Sequence, residues 1–105
     1  MVFGFQGSES VNIATIMRNI GFLIKYVPSA AKKAEFNFNK AIAVASKIGA
    51  KAILWQVYLD LGLLHKAKKR TDKARKCISK AIEILEACKA TVYLKQAKEA
   101  LASLG

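Results

Sequence analysis

Residues 58–65 read Tyr58-Leu59-Asp60-Leu61-Gly62-Leu63-Leu64-His65, and the glycine inside this apolar run decides how the chain is read. Small residues recur downstream at Ala74 and Ala81, seven apart and therefore on one face of a helix. Gly62, Ala74 and Ala81 are expected where two helices cross closely, because a larger side chain there would force them apart. Tyr58, Leu61, Ile78 and Leu85 then fill the space around the crossing.

Working outward, the chain repeats itself after about forty residues. Lys33-Ala34 falls on Lys73-Ala74, and Lys40-Ala41-Ile42 falls on Lys80-Ala81-Ile82. Ala50 meets Ala90, Leu54 meets Leu94 and Gln56 meets Gln96, while Phe38/Ile78 and Val44/Ile84 keep apolar character without identity. A repeat of this period indicates a solenoid, in which one unit cannot bury its own apolar face and must stack on its neighbours. Function is then expected on a surface instead of at a reaction centre.

Five helices are expected and no strands, since no run alternates with period two between turn signals. The first runs from about Ser10 to Tyr26, with Ile13, Met17, Ile20, Ile24 and Val27 on its stripe. Pro28 ends it and Ser29 can cap the next helix. That second helix covers about Ala30 to Ile48, with Ala34, Phe38, Ala41, Ile42 and Ala45 inward and Gly49 as its left-handed terminus. The third, about Ala50 to Lys69, buries Leu54, Trp55, Tyr58, Leu61 and His65. The fourth starts at Thr71 or Asp72, both good caps, and runs to about Cys88 with Ala74, Ile78, Ala81, Ile82 and Leu85 inward. The fifth spans Thr91 to Leu104, with Tyr93, Leu94, Ala97, Leu101 and Leu104 apolar. Short links imply antiparallel neighbours. The fold class is all-α, a single domain over 1–105: hairpins at about 10–49 and 50–89, then a capping helix at 90–105.

The composition agrees. The chain has 105 residues, 53% of them hydrophobic, enough for one core and too many for disorder. Its net charge of +11 favours anionic partners or solubility and does not bear on fold. Cys77 and Cys88 sit on one expected helix, roughly 16 Å apart at 1.5 Å per residue. A disulfide needs Cα atoms within about 7 Å, so the pair reads as free thiols in a reducing cytoplasm. The start Met1-Val2-Phe3-Gly4-Phe5 lacks a basic leader, and Arg18 and Lys25 interrupt the most apolar run, Val11 to Val27.

No catalytic or metal constellation emerges. His65 is the only histidine and reads as a packing residue, as do Cys77 and Cys88 near the edge of a buried stripe. Glu83 and Glu86 read as one-turn partners of nearby lysines. There is no phosphate-binding loop or nucleophile elbow, so neither enzyme activity nor a cofactor is expected. The basic cluster Lys66, Lys68, Lys69, Arg70, Lys73, Arg75, Lys76 and Lys80 surrounds one turn. It suits nucleic acid or an anionic surface, but the aromatics that would stack bases are expected in the core, and a solvated face is the ordinary reading.

Tyr58, Leu61, Gly62, His65, Ala74, Ile78 and Ala81 also resemble the tetratricopeptide repeat at that family's spacing. Met17, Ile20, Gly21, Ile24, Ala34, Phe38 and Ala41 form a looser preceding unit, with one extra residue in the turn at Pro28. The period is nearer forty than the family's thirty-four, Lys69 stands at the usual turn glycine, and the closing proline is absent. The chain is similar in this to the C-terminal repeat regions of multidomain bacterial signalling proteins, among them cyclase and ATPase regulators. That resemblance implies a non-catalytic protein-interaction scaffold in a short right-handed superhelix, as a piece of a larger signalling protein or a small adaptor. The first helix of each hairpin lines the groove in that family, which maps onto Arg18, Phe22 and Lys25, then Gln56, Leu59, Leu63 and Lys66. Such a surface suits an acidic, amphipathic peptide. Phe22 and Leu63 stand where the family's carboxylate clamp has asparagine, so that ligand is not expected. Val11, Ile16, Phe22 and Leu23 leave apolar character on the outer side of the first helix, which points to self-association into a homo-oligomer, with a preceding repeat or a cover formed by Phe3 and Phe5 as the alternatives. The alternative function is nucleic-acid or anionic-surface binding through the basic turn at 66–80.

Overall fold

A computed structural model describes residues 24–104. Within them the regular structure is entirely helical: α1 Pro28–Ile48, α2 Lys51–Ala67, α3 Thr71–Cys88 and α4 Thr91–Ala102. Residues 24–26 are helical as well. The rest of the expected first helix, with Ile13, Met17 and Ile20, lies outside the described residues. Val27, placed on that helix's stripe from sequence, is instead an exposed link with φ −138°. No described helix is long and apolar enough to cross a membrane.

The helices pack in chain order, α1 on α2, α2 on α3 and α3 on α4. Helices α2 and α3 come close together at Gly62. A Cβ built there would lie 2.6 Å from Ile78 Cγ1, 3.2 Å from Cys77 Cβ and 3.3 Å from the Ala74 carbonyl oxygen. Ile78 is fully buried and β-branched, so its side chain has little freedom to withdraw. All five residues expected on the fourth stripe, Ala74, Ile78, Ala81, Ile82 and Leu85, are buried on α3. Two of them are alanines, which lets the α2 backbone approach.

One backbone device joins each successive pair from α1 to α4. After α1, the Gly49 N–H donates to Ser46 O at 3.3 Å and the Ala50 N–H to Ala45 O at 2.9 Å. After α2, Lys69 donates to Lys66 O at 2.9 Å and Arg70 to His65 O at 2.8 Å. After α3, Lys89 donates to Glu86 O at 3.2 Å and Ala90 to Leu85 O at 3.1 Å. Each pair is the crossed 5→2 and 6→1 pattern of a Schellman end, which satisfies carbonyls the helix leaves open. Gly49, Lys69 and Lys89 are all left-handed, with φ of 71°, 63° and 57°. The following residue then accepts the next helix's first bond: Ala50, Arg70 and Ala90 each at 2.9 Å. The same link therefore recurs every twenty residues or so, half the sequence repeat.

This device corrects the expected caps. Arg70, not Thr71 or Asp72, occupies the capping position of α3, and no side chain caps it. The link consumes both backbone groups of Arg70, so Thr71 is already helical. Ser29 likewise lies inside α1, which opens with Pro28 in its first turn. Proline lacks an N–H that the first turn would leave unpaired, and its φ is already helical.

Helix α2 is the central element. Trp55, Leu59, Leu61, Gly62, Leu63, Leu64 and His65 are all buried, so burial extends well beyond the single stripe read from periodicity. A helix apolar on most sides belongs in the middle of a stack. Beyond its neighbours α1 and α3, it reaches α4: Trp55 stacks on Tyr93 with centroids 5.1 Å apart, and Lys66 Nζ donates to Ser103 Oγ at 2.7 Å.

Two substitutions test the crossing and the links. Gly62→Ala should destabilise by up to about 2 kcal/mol in chemical denaturation, because overpacking at about 1–3 kcal/mol is set against the roughly 1 kcal/mol of helix propensity gained. Gly62→Leu should cost more. Lys89→Gly should stabilise by about 0.5–1 kcal/mol, since glycine carries no Cβ penalty in the left-handed region. A destabilising result there would contradict the observed link.

Candidate functional site

The basic turn between α2 and α3 is less available than its sequence suggests. Glu35, on α1, reaches across to it. Arg70 Nη1 donates to both Glu35 oxygens, at 3.0 and 3.1 Å, and Lys68 Nζ to Oε1 at 3.3 Å. Desolvation is the largest single influence on Glu35 and raises its pKa. The hydrogen bonds and charges of Arg70 and Lys68 together outweigh it and hold the carboxyl below its ordinary value. Lys66 is engaged with Ser103, and Lys80 lies 3.8 Å from Glu83, one turn on. Lys69, Lys73, Arg75 and Lys76 remain exposed with no ion pair among the described residues. Three of the eight patch residues, Lys66, Lys68 and Arg70, therefore tie the turn to α1 and to the end of α4, while Lys80 pairs within its own helix.

The groove positions divide differently. Gln56 is exposed, its amide donating back to Ala52 O at 3.1 Å. Lys25 is exposed, with Nζ 5.4 Å from the Tyr26 ring centroid. Leu59 and Leu63, at 1% and 0% exposure, contribute packing and present nothing to a partner, because α2 is enclosed on more sides than one stripe. Lys66 is half-buried. Arg18 and Phe22 from the groove set, and Val11, Ile16, Phe22 and Leu23 from the self-association set, lie outside the described residues.

Two titratable groups sit inside. His65 is buried and its Nδ1 has no hydrogen-bond partner among the described residues. Desolvation is the main influence and lowers its pKa; Glu35 opposes this, while Arg70, Lys73 and Lys68 reinforce it. The ring is buried and packs as the sequence suggested. Asp60, half-buried between leucines on α2, forms no ion pair or hydrogen bond among the described residues. Desolvation pushes its pKa up from 3.8 to about 6. Nothing in the apolar pattern flags this group; only its enclosure does.

Two expectations about side-chain placement are corrected. Cys77 is half-buried, but Cys88 is exposed at the end of α3. The aromatics are not all in the core: Phe36 and Tyr26 are 65% and 62% exposed, since each lies on a face that no described helix covers. Open clefts occur on α4, lined by Thr91, Leu94, Lys95, Lys98, Glu99 and Ala102 with a volume of about 400 Å³, and beside Pro28 and Lys68, about 370 Å³. Among the described residues no three His, Cys, Asp or Glu side chains converge as a metal site would require.

No protein family, curated protein or solved structure matches the chain.

Asp60 gives a testable pH dependence. Its folded pKa lies above the unfolded one, so the fold binds the proton more tightly and stability falls as pH rises from about 4 through about 6. Asp60→Asn should raise stability at pH 7 by about 1–3 kcal/mol and flatten that slope. Urea titrations of both proteins across this range check it.

Proposed function

We propose that the chain is a tetratricopeptide-like helical-repeat scaffold that binds a protein or peptide and has no catalytic centre. The observation carrying this reading is the recurrence of one left-handed link at Gly49, Lys69 and Lys89. Identical links between sequentially packed helices favour a stack of like units, whose usual role is to present an extended surface. The contacts that skip a helix, Trp55 on Tyr93 and Lys66 on Ser103, support a superhelical arrangement. The step from repeat fold to binding role is one of analogy.

With Leu59 and Leu63 buried, the groove positions exposed among the described residues are Lys25 and Gln56, polar to basic in a chain of net charge +11. That favours an acidic amphipathic peptide as the partner class. Self-association through the amino-terminal helix, a parent signalling protein and a cytoplasmic setting belong to the same proposal. A second reading rests on Lys69, Lys73, Arg75 and Lys76, exposed and without an ion pair among the described residues, as positive charge for nucleic acid around the turn into α3.

A fluorescein-labelled amphipathic helical peptide with glutamates on its polar face tests the first reading by anisotropy. Lys25→Glu with Gln56→Glu should weaken binding about tenfold, the order expected for reversing charge complementarity, with helicity unchanged. Equal binding of a lysine-bearing control peptide, or no loss in the variant, would remove this surface as the site. Duplex DNA binding that falls steeply with salt and is lost in Lys73→Glu with Lys76→Glu would favour the second reading. Light-scattering mass in solution reports self-association directly.

A further inference from the structure

Helix α1 turns one unusual face to solvent. Lys33, Phe36, Lys40, Val44, Lys47 and Ile48 follow a three-and-four spacing and share one side of the helix. All six are exposed, Phe36 at 65%, Val44 at 55% and Ile48 at 69%. The row extends about 22 Å at 1.5 Å per residue. It contains no carboxylate, because Glu35 on the same helix is turned away to Arg70 and Lys68. Lys40 Nζ lies 5.9 Å from the Phe36 ring centroid, so cation and ring are neighbours on the surface. The outer faces of the later helices differ. On α3, Lys80 sits beside Glu83, and Lys98 of α4 reaches Glu86.

Large apolar groups left in water favour a cover, and the charges around them restrict what that cover can be. A second copy meeting this face would bring Lys33, Lys40 and Lys47 against themselves, which like-charge repulsion opposes. A protein partner seats anchors in pockets, and neither of the two clefts found among the described residues is lined by any of these six. A bilayer requires no concavity. Apolar tips can enter the acyl boundary while the lysine stems extend their ammonium groups to lipid phosphates.

We infer that the outer row of α1 docks the chain on an anionic phospholipid surface, with the helix lying in the plane of the interface. Phe36, Val44 and Ile48 insert, and Lys33, Lys40 and Lys47 select for negative headgroups. This site is separate from both the groove positions and the basic turn.

Vesicle flotation of the full chain tests it, comparing phosphatidylcholine alone with phosphatidylcholine containing phosphatidylserine. Binding is expected only to the anionic vesicles. The decisive variant, Phe36→Ser with Ile48→Ser, leaves every charge in place and should weaken that binding at least about fivefold, since buried apolar area contributes to interfacial affinity. Lys40→Glu with Lys47→Glu should also abolish it. Circular dichroism confirms that these surface variants stay helical. Failure to bind anionic vesicles, equal binding to neutral ones, or a smaller loss in the serine variant overturns the inference. So does loss confined to Lys73→Glu with Lys76→Glu, which would move the site to the basic turn. Capture of the acidic peptide by this row, with no vesicle binding, overturns it in favour of a protein partner.

Discussion

The approach of α2 to α3 at Gly62 is the constraint on which the other contacts depend. The space where a Cβ would stand is already claimed by Ile78, Cys77 and the Ala74 carbonyl. Close packing rewards such an approach because every atom along the crossing gains dispersion contacts. It also fixes the helices along their axes, since only a glycine leaves room for Ile78, Cys77 and the Ala74 carbonyl at these distances. Leu59, Leu61, Leu64 and Leu85 then pack into one cluster with Ile78. The same cluster includes Ala31 of α1 and Ala97 of α4, so the outer helices share the core that this crossing anchors.

The links transmit that geometry along the chain. A Schellman end followed by a single residue of nearly constant conformation, with ψ of 77°, 71° and 77° at Ala50, Arg70 and Ala90, leaves the next helix few directions to take, and its use three times makes successive helices follow one another alike. Two of the three left-handed positions are lysines, so the chain tolerates conformational strain there to keep the link. At the α2–α3 turn, further fixing comes from Glu35, whose contacts with Lys68 and Arg70 span more than thirty residues of sequence. The turn lies between helices that the core already holds. The ion pair therefore orients it more than it stabilises the fold, as the modest energies of solvent-accessible pairs imply.

Charge and apolar surface are distributed unequally over this frame. The basic turn has part of its charge neutralised and part left open, whereas the outer row of α1 places lysines beside three large apolar side chains with no acid among them. Asp60 illustrates the opposite situation, a half-buried carboxylate with no described partner to offset desolvation. Surfaces and enclosed polar groups of this kind are where a packed helical chain departs from what stability alone would select.

Local and periodic features were legible in the residues themselves. The extents of the described helices, the five-residue stripe of α3, the left-handed Gly49 and the close approach at Gly62 were all readable from spacing, small residues and turn chemistry. Each depends on neighbours within a turn or two, or on a single facing helix. The tertiary structure alone decided the burial of Leu59 and Leu63, the pairing of Glu35 with Arg70, the exposure of Phe36 and Cys88, and the capping of α3 by Arg70. Helical periodicity identifies one face relative to one partner. How many neighbours surround a helix, and which distant charges meet, is set by the stacking of whole helices, because burial and ion pairing are properties of three-dimensional proximity and not of order along the chain.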